Sequence, residues 1–95
     1  MKVCIIGMGP IGNTHAKAYR SIPEVELAGV CDRIEERARK GGQQYETAWY
    51  LDAQKMLDEI KPDLVSVATG GFEYSSDHYE PTLQALNSGA HVLCE

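Results

Sequence analysis

Two hydrophobic periods alternate along the chain. Residues 3–6 form a continuous apolar run, the pattern of a strand buried on both faces. Ile11, His15, Ala18 and Ile22 then recur at helical spacing, and Pro23 and Glu24 close that helix. Val25 to Cys31 predicts a second strand. Ile34, Ala38 and Tyr45 mark one face of a second helix whose other positions are charged, with Gly41 and Gly42 weakening or ending it. Thr47 to Leu51 is a brief β-prone stretch, and Asp52 is placed to cap a helix in which Ala53, Met56, Leu57 and Ile60 make an i, i+3, i+4, i+7 stripe, so Met56 is read as core. Pro62 stops that helix. Leu64 to Thr69 predicts a fourth strand, Tyr79, Leu83 and Leu86 line a fourth helix, and His91 to Cys94 follows Gly89 as a fifth strand.

Five strands alternating with four helices imply βαβ units, a parallel sheet and right-handed crossovers that cover both faces. The expected fold is α/β and doubly wound, with strand order 3-2-1-4-5. Ninety-five residues with 43% hydrophobic content suit one small domain. No apolar run approaches the ~20 residues of a membrane helix, and the run at residues 3–6 is too short for a signal peptide, so a cytoplasmic protein without a membrane partner is expected. A net charge of -5 argues against a nucleic-acid partner, which is held mainly by clustered Lys and Arg. The cysteines, Cys4, Cys31 and Cys94, are odd in number and lack metal-like spacing. Cys31 and Cys94 fall three strand spacings apart in the expected order, about 14 Å at ~4.8 Å each, too far for a disulfide or a shared metal. Buried reduced thiols and no metal site are the reading.

The chemistry concentrates at "GMGPIG", residues 7–12, in the turn from the first strand into the first helix. Gly7 would permit a tight turn, Gly9 would let a pyrophosphate approach the backbone, and Gly12 would let the helix pack on the sheet. The helix begins at Pro10 or Ile11, which aims its unpaired N–H groups and positive dipole end at the same place. A GxGxxG motif alone also fits a turn that merely lets strand and helix pack. Here Asp32 lies 20 residues after Gly12, at the end of the second strand, where a carboxylate accepts from both adenosine-ribose hydroxyls. The combination predicts a Rossmann domain. Asp32 repels a ribose 2'-phosphate and favours NAD; Arg33, able to stack on adenine or meet that phosphate, keeps NADP open, and it also reads as a solvent-facing residue at a charged helix start.

Beyond the fingerprint, "GMGPIGNTH" (7–15), "KPDLVSVAT" (61–69) and "HYEPTLQALNSGAHVLCE" (78–95) resemble the Gfo/Idh/MocA family, named for glucose-fructose oxidoreductase, inositol dehydrogenase and rhizopine catabolism. The resemblance covers essentially the whole chain. It implies a nicotinamide-dependent oxidoreductase acting on a sugar, cyclitol or related polyol. In that family the third stretch runs into Lys-Pro, where the lysine is catalytic, and a second α/β domain supplying substrate contacts lies beyond. Residues 1–95 therefore read as the dinucleotide-binding domain of a longer protein, expected to bind nucleotide and, alone, to catalyse nothing.

The resemblance carries Gly7, Gly9, Pro10, Ile11 and Gly12 to the pyrophosphate loop and Asp32 with Arg33 to the ribose and adenine end. It places Thr69 and Gly70 along the middle of the dinucleotide, His78 near the nicotinamide half, and Glu95 in the family's Glu-Lys-Pro motif. His78 equally reads as a helix-entry residue after Ser75, Ser76 and Asp77. "GGFEYSSD" (70–77) replaces a short Pro-Asn turn common in the family, as a substrate or cofactor loop or as a surface loop. His15, on the predicted stripe, reads as a hydrogen-bonded residue facing the sheet, and His91 as structural. Two other classes remain: a nucleotide-binding sensor without redox work, and a methyltransferase, which the full glycine spacing and "GAHVLCE" disfavour. A chain ending at its fifth strand exposes that edge, so self-association is expected.

Overall fold

The structure, a computed structural model, describes residues 1–68 and 86–94. In chain order the elements are β1 (Lys2–Ile6), α1 (Pro10–Arg20), β2 (Glu26–Cys31), α2 (Glu35–Gln44), β3 (Ala48–Tyr50), α3 (Ala53–Ile60), β4 (Leu64–Val67) and β5 (His91–Cys94). All strand pairs are parallel, and the sheet runs β3-β2-β1-β4-β5, as the alternation predicts. The fourth predicted helix lies almost wholly outside the described residues; the chain resumes helical at Leu86 and Asn87.

Side chains of successive strand residues point to opposite faces, and the core divides accordingly. Cys4, Ile6, Cys31, Val65 and Val67 pack with Met56 and Leu57 of α3, while Ile5 and Val30 pack with Ala16 of α1 and Tyr45 at the end of α2. Burying Met56 and Leu57 fully gives roughly 1.5–3 kcal/mol each. Helix α3 starts on Asp52, whose carboxylate accepts from the Gln54 N–H at 2.9 Å, a cap of about 1 kcal/mol. It ends at Lys61 in the left-handed region, φ 52°, ahead of Pro62. No helix among the described residues is long and apolar enough to cross a membrane.

Two helices depart from their sequence patterns. The buried positions of α1 are Gly12 and Ala16, with Tyr19 packed beside them, whereas Ile11 is 49% exposed and Ile22 and Ala18 also face out. Backbone contact sets this rotation: a Cβ on Gly12 would stand 1.8 Å from the Gly7 carbonyl oxygen, so the helix sits directly on the turn. Ile11 and Ile22 are turned away from the sheet, and Tyr19 packs toward it instead. His15 makes an edge-on contact with Tyr19, ring centroids 6.4 Å apart.

Helix α2 continues through Gly41 and Gly42 to Gln44. A Cβ on Gly41 would come within 2.9 Å of Met8 Cε, and one on Gly42 within 2.5 Å of Trp49 Cδ1 and 2.9 Å of Trp49 Cβ. The two glycines let α2 close on the β1–α1 turn and on β3, and this packing offsets a propensity cost of ~1 kcal/mol each.

Cys4 and Cys31 are buried free thiols. Burial, reinforced by neighbouring negative charge, pushes each from an ordinary value of 9.0 up to about 12. Between those values the unfolded chain has lost protons that the folded chain keeps, so stability falls as pH rises from about 9 toward 12. Urea unfolding at pH 10.5 is expected to give a stability about 2 kcal/mol or more below that at pH 8. A flat profile would show that the thiols ionise alike in both states.

Candidate functional site

The carboxyl ends of β1, β2 and β4 meet at one corner, tied by main-chain bonds from Gly7 N–H to Cys31 O (2.7 Å) and from Ala68 N–H to Ile6 O (2.8 Å). The glycines of residues 7–12 fill three different physical needs there. Gly7 has φ 101°, a conformation that side chains resist. Gly12 is required by the contact on the Gly7 carbonyl. Gly9, at φ -79° and ψ -162°, has backbone angles open to any residue, and a Cβ there would meet no described atom beyond its chain neighbours closer than Arg37 Nη1 at 3.8 Å. Neither conformation nor packing among the described residues asks for glycine at position 9. The space is open toward the start of α1.

That helix end is also electrostatically bare. Gly9 is its N-cap with no side-chain cap bond, Pro10 follows, and the first turn carries no acidic residue, whereas Lys17 and Arg20 sit in the last turn. The N–H groups of Ile11 and Gly12 have no intrahelical acceptor. By contrast, α2 has Glu35 and Glu36 in its first turn, and α3 has Asp52. A partial positive charge of roughly half a unit is thus left at the Gly9 opening.

Asp32 is 7% exposed and braces the loop. Its Oδ2 accepts from the Met8 N–H at 2.8 Å and its Oδ1 from the Ile34 N–H at 2.9 Å. Each oxygen retains a second acceptor site for a ligand hydroxyl. On the other side of the loop the Asn13 amide donates to Met8 O and Gly9 O, both at 3.0 Å. Asn13 is held in turn by the Tyr45 hydroxyl, which donates to its Oδ1 at 2.8 Å; burial raises the Tyr45 pKa and keeps that donor proton in place. Both main-chain polar groups of Met8 are therefore fixed by side chains.

The structure thus brings Gly7, Gly9, Pro10, Ile11, Gly12 and Asp32 together, as the motif implies, with Ile11 exposed at the opening. Arg33 follows Asp32 as an exposed residue. Thr69, Gly70, His78 and Glu95 lie outside the described residues, as does the loop 70–77. Sequence reasoning missed Asn13 and Arg37. The helical wheel contained a signal for the second: Arg37, Gly41 and Tyr45 are spaced i, i+4, i+8 along the side of α2 that closes on the β1–α1 turn.

Comparison with known proteins gives a consistent result. The model of an oxidoreductase family with the NAD-binding Rossmann fold, GFO_IDH_MocA, matches residues 1–95. D-glucoside 3-dehydrogenase of Escherichia coli is 40% identical over 97 residues, covering 100% of this chain and 26% of the relative. The structure of UDP-N-acetylglucosamine 3-dehydrogenase from Acidithiobacillus ferrooxidans superposes with a TM-score of 0.84 at 31% identity, covering 99% of this chain and 29% of that one. Myo-inositol dehydrogenase from Lactobacillus casei, solved with NAD(H) and myo-inositol, shares the fold with a TM-score of 0.85 at 24% identity, covering 99% and 27%. The chain spans about a quarter of the length of the curated relatives it matches.

The division of labour among the glycines is open to a direct check by thermal melting. Gly12→Ala is expected to lower stability by about 3 kcal/mol or more, and the melting temperature by roughly 10 °C or more. Gly9→Ala is expected to stay within about 0.5 kcal/mol of the unmodified chain. Equal destabilisation by both would mean that Gly9 too is a packing residue.

Proposed function

We propose, for a chain that belongs to the Gfo/Idh/MocA oxidoreductase family, that residues 1–95 form one dinucleotide-binding domain and that the corner between β1 and α1 binds the diphosphate of NAD. The observation that carries this reading is Gly9: a missing side chain that the described fold does not need, opening onto an uncapped helix end. The N–H groups of Ile11 and Gly12 donate to phosphate oxygens, and Pro10 pre-sets the first turn of the helix that presents them. Asp32 accepts from the adenosine-ribose hydroxyls with the acceptor sites that Met8 and Ile34 leave free, and its charge disfavours a 2'-phosphate.

In a protein of the relatives' length the activity is oxidation of a secondary hydroxyl on a sugar or cyclitol. Support comes from relatives that are by name 3-dehydrogenases of glucose-type sugars and an inositol dehydrogenase. NAD, when bound, supplies the hydride acceptor. The described residues hold the adenosine and diphosphate end; the family likeness assigns Thr69 and Gly70 to the middle of the dinucleotide and His78 and Glu95 to the nicotinamide side. We place the protein in the cytoplasm, which the two buried free thiols favour. Self-association fits the same reading, with Leu93 exposed on β5 at one edge of the described sheet.

Calorimetric titration with NAD and NADP tests the assignment. The unmodified chain is expected to bind NAD and to bind NADP more weakly. Asp32→Asn, which removes the charge and keeps an acceptor for a loop N–H, is expected to cut the NAD preference about ten-fold or more. Asp32→Ala is expected to weaken both ligands further because the Met8 N–H loses its buried partner. Binding of neither dinucleotide to the unmodified chain would overturn the reading.

A further inference from the structure

The glycine that opens the site also loosens it. Turning over the peptide between Met8 and Gly9 changes mainly ψ of the first residue and φ of the second, and positive φ costs a glycine little. Gly9 stands at φ -79°. In the turned-over form the Met8 carbonyl oxygen would stand where the Gly9 N–H now is, placing an acceptor at the mouth of an anion site. The preceding peptide has its own restraints: Asp32 accepts from the Met8 N–H at 2.8 Å, and the Gly7 carbonyl lies against Gly12. Neither acts on the peptide between Met8 and Gly9.

Asn13 does act on it. Its Nδ2 donates to Met8 O and to Gly9 O, both at 3.0 Å. In a trans peptide the C=O and N–H point to opposite sides, so a Met8 carbonyl held toward Asn13 turns the Gly9 N–H away from it. That N–H has no acceptor among the described residues. The second carbonyl belongs to the bond into Pro10, which carries no N–H, so the Gly9 N–H is the donor that Asn13 aims. Asn13 has no donor left for a ligand: its two amide hydrogens serve two carbonyls, and its Oδ1 accepts from the Tyr45 hydroxyl at 2.8 Å. The Tyr45 ring is buried in the core with Ala16 of α1, which fixes the hydroxyl. Asparagine has a low helix propensity, and here its side chain folds back onto the chain before the helix.

We propose that Asn13, supported by Tyr45, is a positioning residue of the diphosphate site: it locks the Met8–Gly9 peptide so that the Gly9 N–H faces the anion together with those of Ile11 and Gly12. The inference rests on the dinucleotide reading above and adds to it a residue that does not touch the ligand. Thr14 supplies the contrast, because its Oγ1 donates to Pro10 O at 3.0 Å and so fixes no loop N–H.

NMR titration with ADP, adenosine and NAD, using Asn13→Ala, Tyr45→Phe, their combination and Thr14→Ala, tests the proposal. Asn13→Ala is expected to weaken ADP and NAD about ten-fold and to leave adenosine within about two-fold. Tyr45→Phe, which removes only a hydroxyl, is expected to weaken ADP about three-fold and to add nothing to Asn13→Ala. Thr14→Ala is expected to stay within about two-fold for every ligand. Full ADP affinity in Asn13→Ala, an equal loss for adenosine, or a further loss on combining the two changes would each overturn the proposal. If Asn13→Ala does not melt cooperatively, the unmodified chain decides. Its Asn13 side-chain amide hydrogens are expected to be protected from solvent exchange before ligand is added, and its Gly9 N–H resonance to shift with ADP and not with adenosine. Rapid exchange at Asn13 or an unmoved Gly9 resonance overturns the proposal. An unmodified chain that binds neither ADP nor NAD strikes the dinucleotide reading itself, whereas one that binds both no better than Asn13→Ala strikes only the role of Asn13.

Discussion

The contact between Gly12 and the Gly7 carbonyl is the constraint on which the rest of the structure depends. With 1.8 Å available where a Cβ would go, α1 meets the β1–α1 turn backbone to backbone. That single approach sets how the helix is rotated and leaves its first N–H groups beside Gly9 at the carboxyl edge of the sheet. It also turns Ile11 outward at the opening, although hydrophobicity alone would turn it inward. Close packing at Gly12 and open space at Gly9 thus come from two different missing side chains of one loop.

Around this contact lies a polar frame that keeps the loop in one shape. Asp32 from the end of β2 holds the Met8 N–H, Asn13 from α1 holds the Met8 and Gly9 carbonyls, and Tyr45 beyond α2 fixes Asn13. Residues from two elements therefore hold the backbone at Met8 and Gly9, and Tyr45 supports one of them. A loop fixed in this way would lose little conformational freedom on binding the proposed anion. Asp32 braces the loop, and in the proposed reading it also meets the ribose, so substitutions there would affect both.

Much of this was legible in the chain because strand burial and loop glycines leave local signatures. The apolar run at residues 3–6, the Asp52 cap, the 53/56/57/60 stripe of α3 and the strand order all appear as the sequence implies. What was illegible depends on contacts between elements. The rotation of α1 cannot be read from its own hydrophobic positions, because a carbonyl on another element decides it. Gly41 and Gly42 look like a helix end until Met8 and Trp49 are seen where their side chains would be. Arg37 is one of several charged residues on α2, and only the approach of α2 to Gly9 distinguishes it from its exposed neighbours.

The most direct measurement of whether main-chain amides at this corner grip a diphosphate is an amide 1H–15N NMR titration with ADP. Binding there requires the Gly9, Ile11 and Gly12 resonances to move together and saturate, while amides of α3 such as Gln54 and Lys55 stay in place. Unmoved loop amides, or shifts centred on another part of the sheet, would contradict it.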